Sequence, residues 1–253
     1  MNKLLICIAF HHNPSRFEFL KKIVDYYIDT YEDLEHIYID TNSEIEIFDH
    51  PKIKVFVHSS LQHPFHLVWM HRIHFKNHIR DYDMFMYVED DMLVPRKSYL
   101  WYKEHIQRFW PTYIPSFLRI ETYHDQEFVT DPLNKQRISP DQIIHIDNRT
   151  YLSLEYPYHA FWILPRQYLE DFVKEERFYR IGGFRMQKEV RELASSFTWW
   201  ELEKKPIVEI EFDNNSHTWR VSRNCDSFHI ANNYAGNPNT RHGKIIRDEL
   251  LHE

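Results

Sequence analysis

An α/β fold, with a mainly parallel sheet flanked by helices, is what this chain predicts. Three observations carry that expectation. Short apolar runs alternate with longer segments of helical spacing through the first 110 residues, the signature of βαβ units. The composition, 43% hydrophobic and 27% charged over 253 residues, is that of an ordinary globular protein with ample material for a core. No internal repeat, low-complexity tract or linker-like break interrupts the chain, so a single domain is expected over 1–253. Its first half, to about residue 95, would form one lobe, and residues 96–253 would add a wall and a lid.

The elements follow in order. "LLICIAF", Leu4 to Phe10, is apolar and β-rich and reads as the first strand. "SRFEFLKKIVDYYIDTY" places Phe19, Leu20, Ile23, Val24, Tyr27 and Ile28 on one helical face. "EHIYID" is a second strand, and "KIKVFVH", Lys52 to His58, alternates as a third. "HLVWMHRIHFKNHI" is helical, "MFMYVE" is a fourth strand, and "KSYLWYKEHIQRFW" is again helical. Further on, "SFLRIE", "QIIHI", "HAFWIL" and "PIVEIEF" read as strands, while "RQYLEDFVKE" and "FRMQKEVRELASSF" read as helices. "CDSFHIANNYAGNPNTRHGK" is expected to be irregular.

The totals exclude several functions. A net charge of −7 argues against nucleic-acid binding, which needs a clustered basic excess. No apolar run approaches the roughly 18 residues of a membrane span, and the N-terminal run has no cleavage signature. Two cysteines, Cys7 and Cys225, give no disulfide framework, so a reducing, cytoplasmic setting is expected, at most peripheral to a membrane. Only four glycines occur, without a GxGxxG or Walker loop. A phosphate bound here must be held by a metal ion, by Arg or Lys, or by a helix N-terminus.

The stretch "YDMFMYVEDDMLVP" carries the chemistry. Its apolar strand ends in Glu89, Asp90 and Asp91, at the edge where open α/β sheets bind ligands. Adjacent like charges must be solvated by water or compensated by a cation. Extended-chain alternation would send Glu89 and Asp91 one way and Asp90 the other, a pair able to hold a hard divalent ion. A solvated turn is the competing reading.

The arrangement resembles the GT-A glycosyltransferases, whose DxD-type motif follows a hydrophobic strand and binds Mn²⁺ or Mg²⁺ together with a nucleotide-sugar diphosphate. The likeness spans most of the chain: "CIAFHHNPSR", "IYIDTNS", "HPFHLVWMHRIHF", the EDD, "IGGFRMQKEVRELASSF" and "SFHIANNYAG" follow in the family's order. EDD stands where DxD is commoner, and no plain ED pair follows Gly182-Gly183. The resemblance implies Asp91 as the leading metal ligand, with Glu89 acting through water or the ribose and Asp90 near the sugar. It implies His229 as a further ligand, with a core histidine as the alternative. Phe10, His11, Asn13 and Arg16 would meet the nucleotide, although Asn13 can equally cap a helix. Asp40 would meet base or ribose, or cap a turn. Arg72 would face a phosphate, with His71 as a weaker candidate beside it.

For the base in an inverting transfer, Glu192 and then Glu189 are expected, although both carry the spacing of surface ion pairs. Glu121 and Asp125 are the reserves. Trp199-Trp200 could stack on a sugar. His71, His74 and His78 recur at i, i+3 and i+7; without an acid among them, a solvated face is expected rather than a zinc site. The expected function is thus transfer from a UDP- or GDP-sugar to a glycan hydroxyl. A metal-dependent phosphohydrolase and a glycan-binding module are the rivals.

Overall fold

A computed structural model describes residues 3–45, 48–130, 142–154, 157–179, 202–215, 217–240, 242–243 and 245–251. The class is mixed α/β, and the chain divides into two compact units. One comprises Met1–Met92 with Ala160–Leu202; the other comprises Leu93–His159 with Glu203–Glu253. The sequence offered one domain with a change of role near residue 95. The first unit instead takes up chain again from Ala160, because a strand from that segment completes its sheet.

In the first unit, β1 (Leu4–Phe10), β2 (Leu34–Thr41), β3 (Ile53–Val57) and β4 (Met84–Glu89) pair in parallel, and β11 (Phe161–Pro165) runs antiparallel along β4. The order is β11-β4-β1-β2-β3. β1 is buried along its whole length, as a central strand covered on both faces must be. Helix α1 (Phe17–Thr30) buries Leu20, Ile23, Val24 and Tyr27, an i, i+3, i+4, i+7 stripe. A 3₁₀ turn at Pro14–Arg16 leads into it, capped by Asn13, whose side chain accepts from Ser15 N–H at 3.2 Å. Another 3₁₀ turn, Pro64–Trp69, opens α2 (Met70–Asn77), which buries His71, Arg72 and Phe75. Helices α4 (Arg166–Phe172) and α5 (Glu176–Tyr179) follow β11.

The chain passes between the units at the two-residue strand β5 (Met92–Leu93). In the second unit, α3 (Arg96–Phe109) buries Tyr99, Trp101, Tyr102, His105, Ile106 and Phe109. One sheet holds β9 (Ile143–Ile146), β10 (Arg149–Ser153), β12 (Lys205–Asp213) and β13 (Thr218–Val221), all antiparallel, with β6 (Tyr113–Pro115) parallel to β12. Another holds β7 (Leu118–Tyr123), β8 (Gln126–Val129), β14 (Asp226–His229) and β15 (Ile245–Ile246).

Two expectations change here. Parallel pairing dominates the sheet of the first unit only; the second unit is mostly antiparallel. The C-terminal stretch read as irregular contains β14, whose pairing with β7 overrides its weak local signal. The helix expected over "FRMQKEVRELASSF" lies outside the described residues.

Candidate functional site at the carboxyl edge of the parallel strands

The strand order fixes where a ligand crevice belongs. From β1 the chain steps outward through β2 and β3, then returns to lay β4 on the other side of β1. The carboxyl ends of β1 and β4 therefore flank the reversal of strand order, the place where open α/β sheets bind ligands. Ala9, one residue from the end of β1, is the register partner of both Asp40 on β2 and Glu89 on β4. At about 4.8 Å per strand, the backbones of Asp40 and Glu89 stand about 10 Å apart along this edge.

The acids are compensated from within the chain. Arg16, from the turn after β1, binds Asp90 with two hydrogen bonds, Nε to Oδ2 at 2.7 Å and Nη2 to Oδ1 at 2.5 Å. Its Nη2 also lies 2.7 Å from Asp91 Oδ2. Asp90 and Asp91 are only 5% and 4% exposed, so water does not solvate them. The expected alternation of Glu89 and Asp91 against Asp90 is wrong. The strand ends at Glu89, and Asp90 and Asp91 sit in a turn, where two-residue periodicity no longer applies. Both can therefore meet the same guanidinium.

Burial raises the Asp90 carboxyl to about 7; the Arg16 hydrogen bond pulls it down, and the charge of Asp91 pushes it up. The Arg16 guanidinium is itself held up, because its bonds to Asp90 and Asp91 outweigh the burial that would lower it.

A second cluster occupies the same edge. Asp40 is 1% exposed, and its Oδ1 takes His58 Nε2 at 2.7 Å and His74 Nε2 at 2.9 Å. His58 follows the end of β3, and its N–H donates to Thr41 O at 2.7 Å. Asp40 thus binds two imidazoles rather than capping its turn. The solvated histidine face expected on α2 is also wrong. His74 turns onto Asp40, and only His78, paired with Asp81 at 2.9 Å, stays near solvent. His71 is buried, donates from Nδ1 to Val68 O at 2.6 Å and accepts at Nε2 from the Trp162 indole at 3.1 Å. Burial, aided by the charge of Arg72, holds it neutral, far below the usual histidine range.

The remaining expected residues disperse. Phe10 is buried, with its ring on Phe17 at 5.0 Å, while His11 is exposed. Asn13 caps the turn before α1, the structural role it was offered beside base contact. Arg72 is buried rather than presented to a phosphate. Its guanidinium lies 4.3 Å from the Trp69 ring and donates to Phe178 O at 2.9 Å.

In the second unit, His229 Nδ1 is hydrogen-bonded to Glu121, and its ring stacks on Tyr234 at 5.4 Å. Glu121 Oε2 also accepts from Tyr234 N–H at 2.8 Å and Ala235 N–H at 2.7 Å. Burial would raise the Glu121 carboxyl, but the bonds from His229 and these amides hold it below its usual value. Asp125 sits in the exposed β7–β8 turn with φ of 59°. Glu189, Glu192, Trp199 and Trp200 lie outside the described residues.

His58 was missed as a site residue. Its signal was available: a histidine closing a strand beside one that closes on an acid. No protein-family model matches the chain, and no curated protein matches it either. Among the described residues, no helix is long and apolar enough to cross a membrane.

Proposed function

We propose that the chain is a metal-dependent glycosyltransferase of the GT-A type, moving a sugar from a UDP- or GDP-sugar to a glycan hydroxyl. The observation that carries this reading is the arginine–carboxylate cluster at the reversal of strand order, where a glycine-poor protein must find its phosphate ligands among side chains. The donor set suits Mn²⁺ or Mg²⁺: hard carboxylate oxygens from Asp91, Asp90 and Glu89. A cation bound there supplies Lewis-acid stabilisation of the departing diphosphate.

The chain's own groups do the rest. Arg16 holds the two buried carboxyl groups together and pulls Asp90 towards its charged form. Its side chain is 30% exposed, which leaves the guanidinium open to a phosphate oxygen. In an inverting transfer a carboxylate takes the acceptor hydroxyl proton, and Glu192, then Glu189, are proposed for it.

Calorimetry with UDP- and GDP-sugars, with and without Mn²⁺, tests the proposal. Donor binding should need the metal and weaken by at least tenfold in Asp91→Asn. Binding that ignores both EDTA and this substitution refutes it. Phosphate released from simple esters without an acceptor would move the reading to a phosphohydrolase.

A further inference from the structure

We propose that Asp40, His58 and His74 form a second metal site, selective for an ion of the zinc class and separate in chemistry from the acids after β4. The three ligand atoms, Asp40 Oδ1, His58 Nε2 and His74 Nε2, lie within 4.8 Å of one another. Two imidazoles and a carboxylate are a zinc donor set; Mg²⁺, Mn²⁺ and Ca²⁺ favour all-oxygen sites such as the EDD.

The competing account is a plain hydrogen-bonded trio. A carboxylate offers about four lone-pair sites on two oxygens, so two independent donors have no need to share one oxygen. Here both Nε2 atoms converge on Oδ1. The shared oxygen gathers three ligand atoms within 4.8 Å, the proximity a common ion requires.

Two of the three ligand–ligand separations need little change to receive it; the third, between the two Nε2 atoms, is no more than 4.8 Å. Ligands about 2.05 Å from a tetrahedral ion stand roughly 3.3 Å apart. The present contacts of 2.7 and 2.9 Å must therefore open by about half an ångström. Each piece is held independently of the ion. His74 lies against Phe56, with ring centroids 4.4 Å apart, and against the edge of Tyr38 at 5.2 Å. The backbone of His58 is tied to Thr41, and Asp40 is fixed in β2 between its register partners Ala9 and Phe56.

The His58 side chain is 24% exposed, which gives an ion a way in. Three protein ligands leave the fourth tetrahedral position to water or to a donor atom of a bound molecule.

With eighteen histidines in the chain, adventitious zinc binding is expected, so the test works by subtraction. Chelator-treated protein is titrated with Zn²⁺ against a chromophoric chelator, and with Co²⁺ by visible absorption. The wild-type chain should show one tight equivalent and the intense Co²⁺ bands of a tetrahedral centre. Outer-shell substitutions typically weaken metal sites by about 10–100-fold, so His74→Ala and Asp40→Asn should each weaken this one by more than about 100-fold. His58→Ala should do the same. Because that side chain is part-exposed, it guards against a variant that fails to fold, and circular dichroism of the metal-free protein checks this. Asp91→Asn should leave the tight equivalent intact, whatever becomes of nucleotide binding. The proposal falls if a folded His58→Ala protein keeps the tight equivalent, or if Co²⁺ gives only the weak spectrum of a six-coordinate ion.

Discussion

Replacing Arg16 with alanine asks the sharpest question of this structure. The substitution removes the three contacts of 2.5–2.7 Å that hold Asp90 and Asp91. It takes the guanidinium away from two adjacent carboxyl groups, each at most 5% exposed. Breaking a buried ion pair from one side costs about 3–5 kcal/mol. The Arg16 side chain is itself 30% exposed, which places the expected loss at the lower end, about 3 kcal/mol.

Amide exchange of β1 and β4 reports on this sheet directly. At about 1.36 kcal/mol per decade, protection should fall about 100-fold. Adding Asp90→Asn should return at least about 1 kcal/mol, because the two residues share one set of bonds. Mn²⁺ should also restore protection in Arg16→Ala, since a dication can compensate what the guanidinium no longer does. A loss below about 1 kcal/mol would put the pair in the class of solvated surface bridges and refute the reasoning.

Two more expectations concern the second unit. His159 is buried against Phe117 O at 2.6 Å, and burial lowers it to about 3. Between pH 6.5 and 3 the unfolded chain therefore binds a proton that the folded one refuses, and stability falls as pH drops. This group alone should remove about 2 kcal/mol between pH 7 and pH 5, a slope read from urea midpoints and absent in His159→Gln. Glu121→Gln should release the segment it holds, with faster exchange at the Tyr234 and Ala235 amides and little change in β1; equal protection in both proteins would show that Glu121 does not hold this turn.

The first unit was readable because its elements are locally consistent. The stripe Leu20, Ile23, Val24 and Tyr27 and the apolar strand before Glu89 each announce one structure and one buried face. The second unit was not, because strands such as β13 and β14 are short and acquire their pairing from partners distant in sequence. At the site, the position of the acids could be read, but their partner could not. Nothing in "HHNPSR" says that Arg16 rather than His11 turns towards residue 90; that follows from the Asn13-capped turn which starts α1. Likewise, Asp40 and His74 were weighed separately because β3 and a 3₁₀ turn separate them in sequence. Only the sheet register brings the end of β3 alongside β2.

The sheet of the first unit also sets an order of events on the ribosome. Met84 to Val88 find one neighbour in β1 soon after they emerge, but the other, β11, begins only at Phe161. Until then "MFMYV" is an open seam, uncharged and free of proline, the kind of ladder edge that recruits strands from other chains. Any fragment ending before Phe161 keeps that seam open, so this hazard to the nascent chain lies next to the residues proposed for its chemistry.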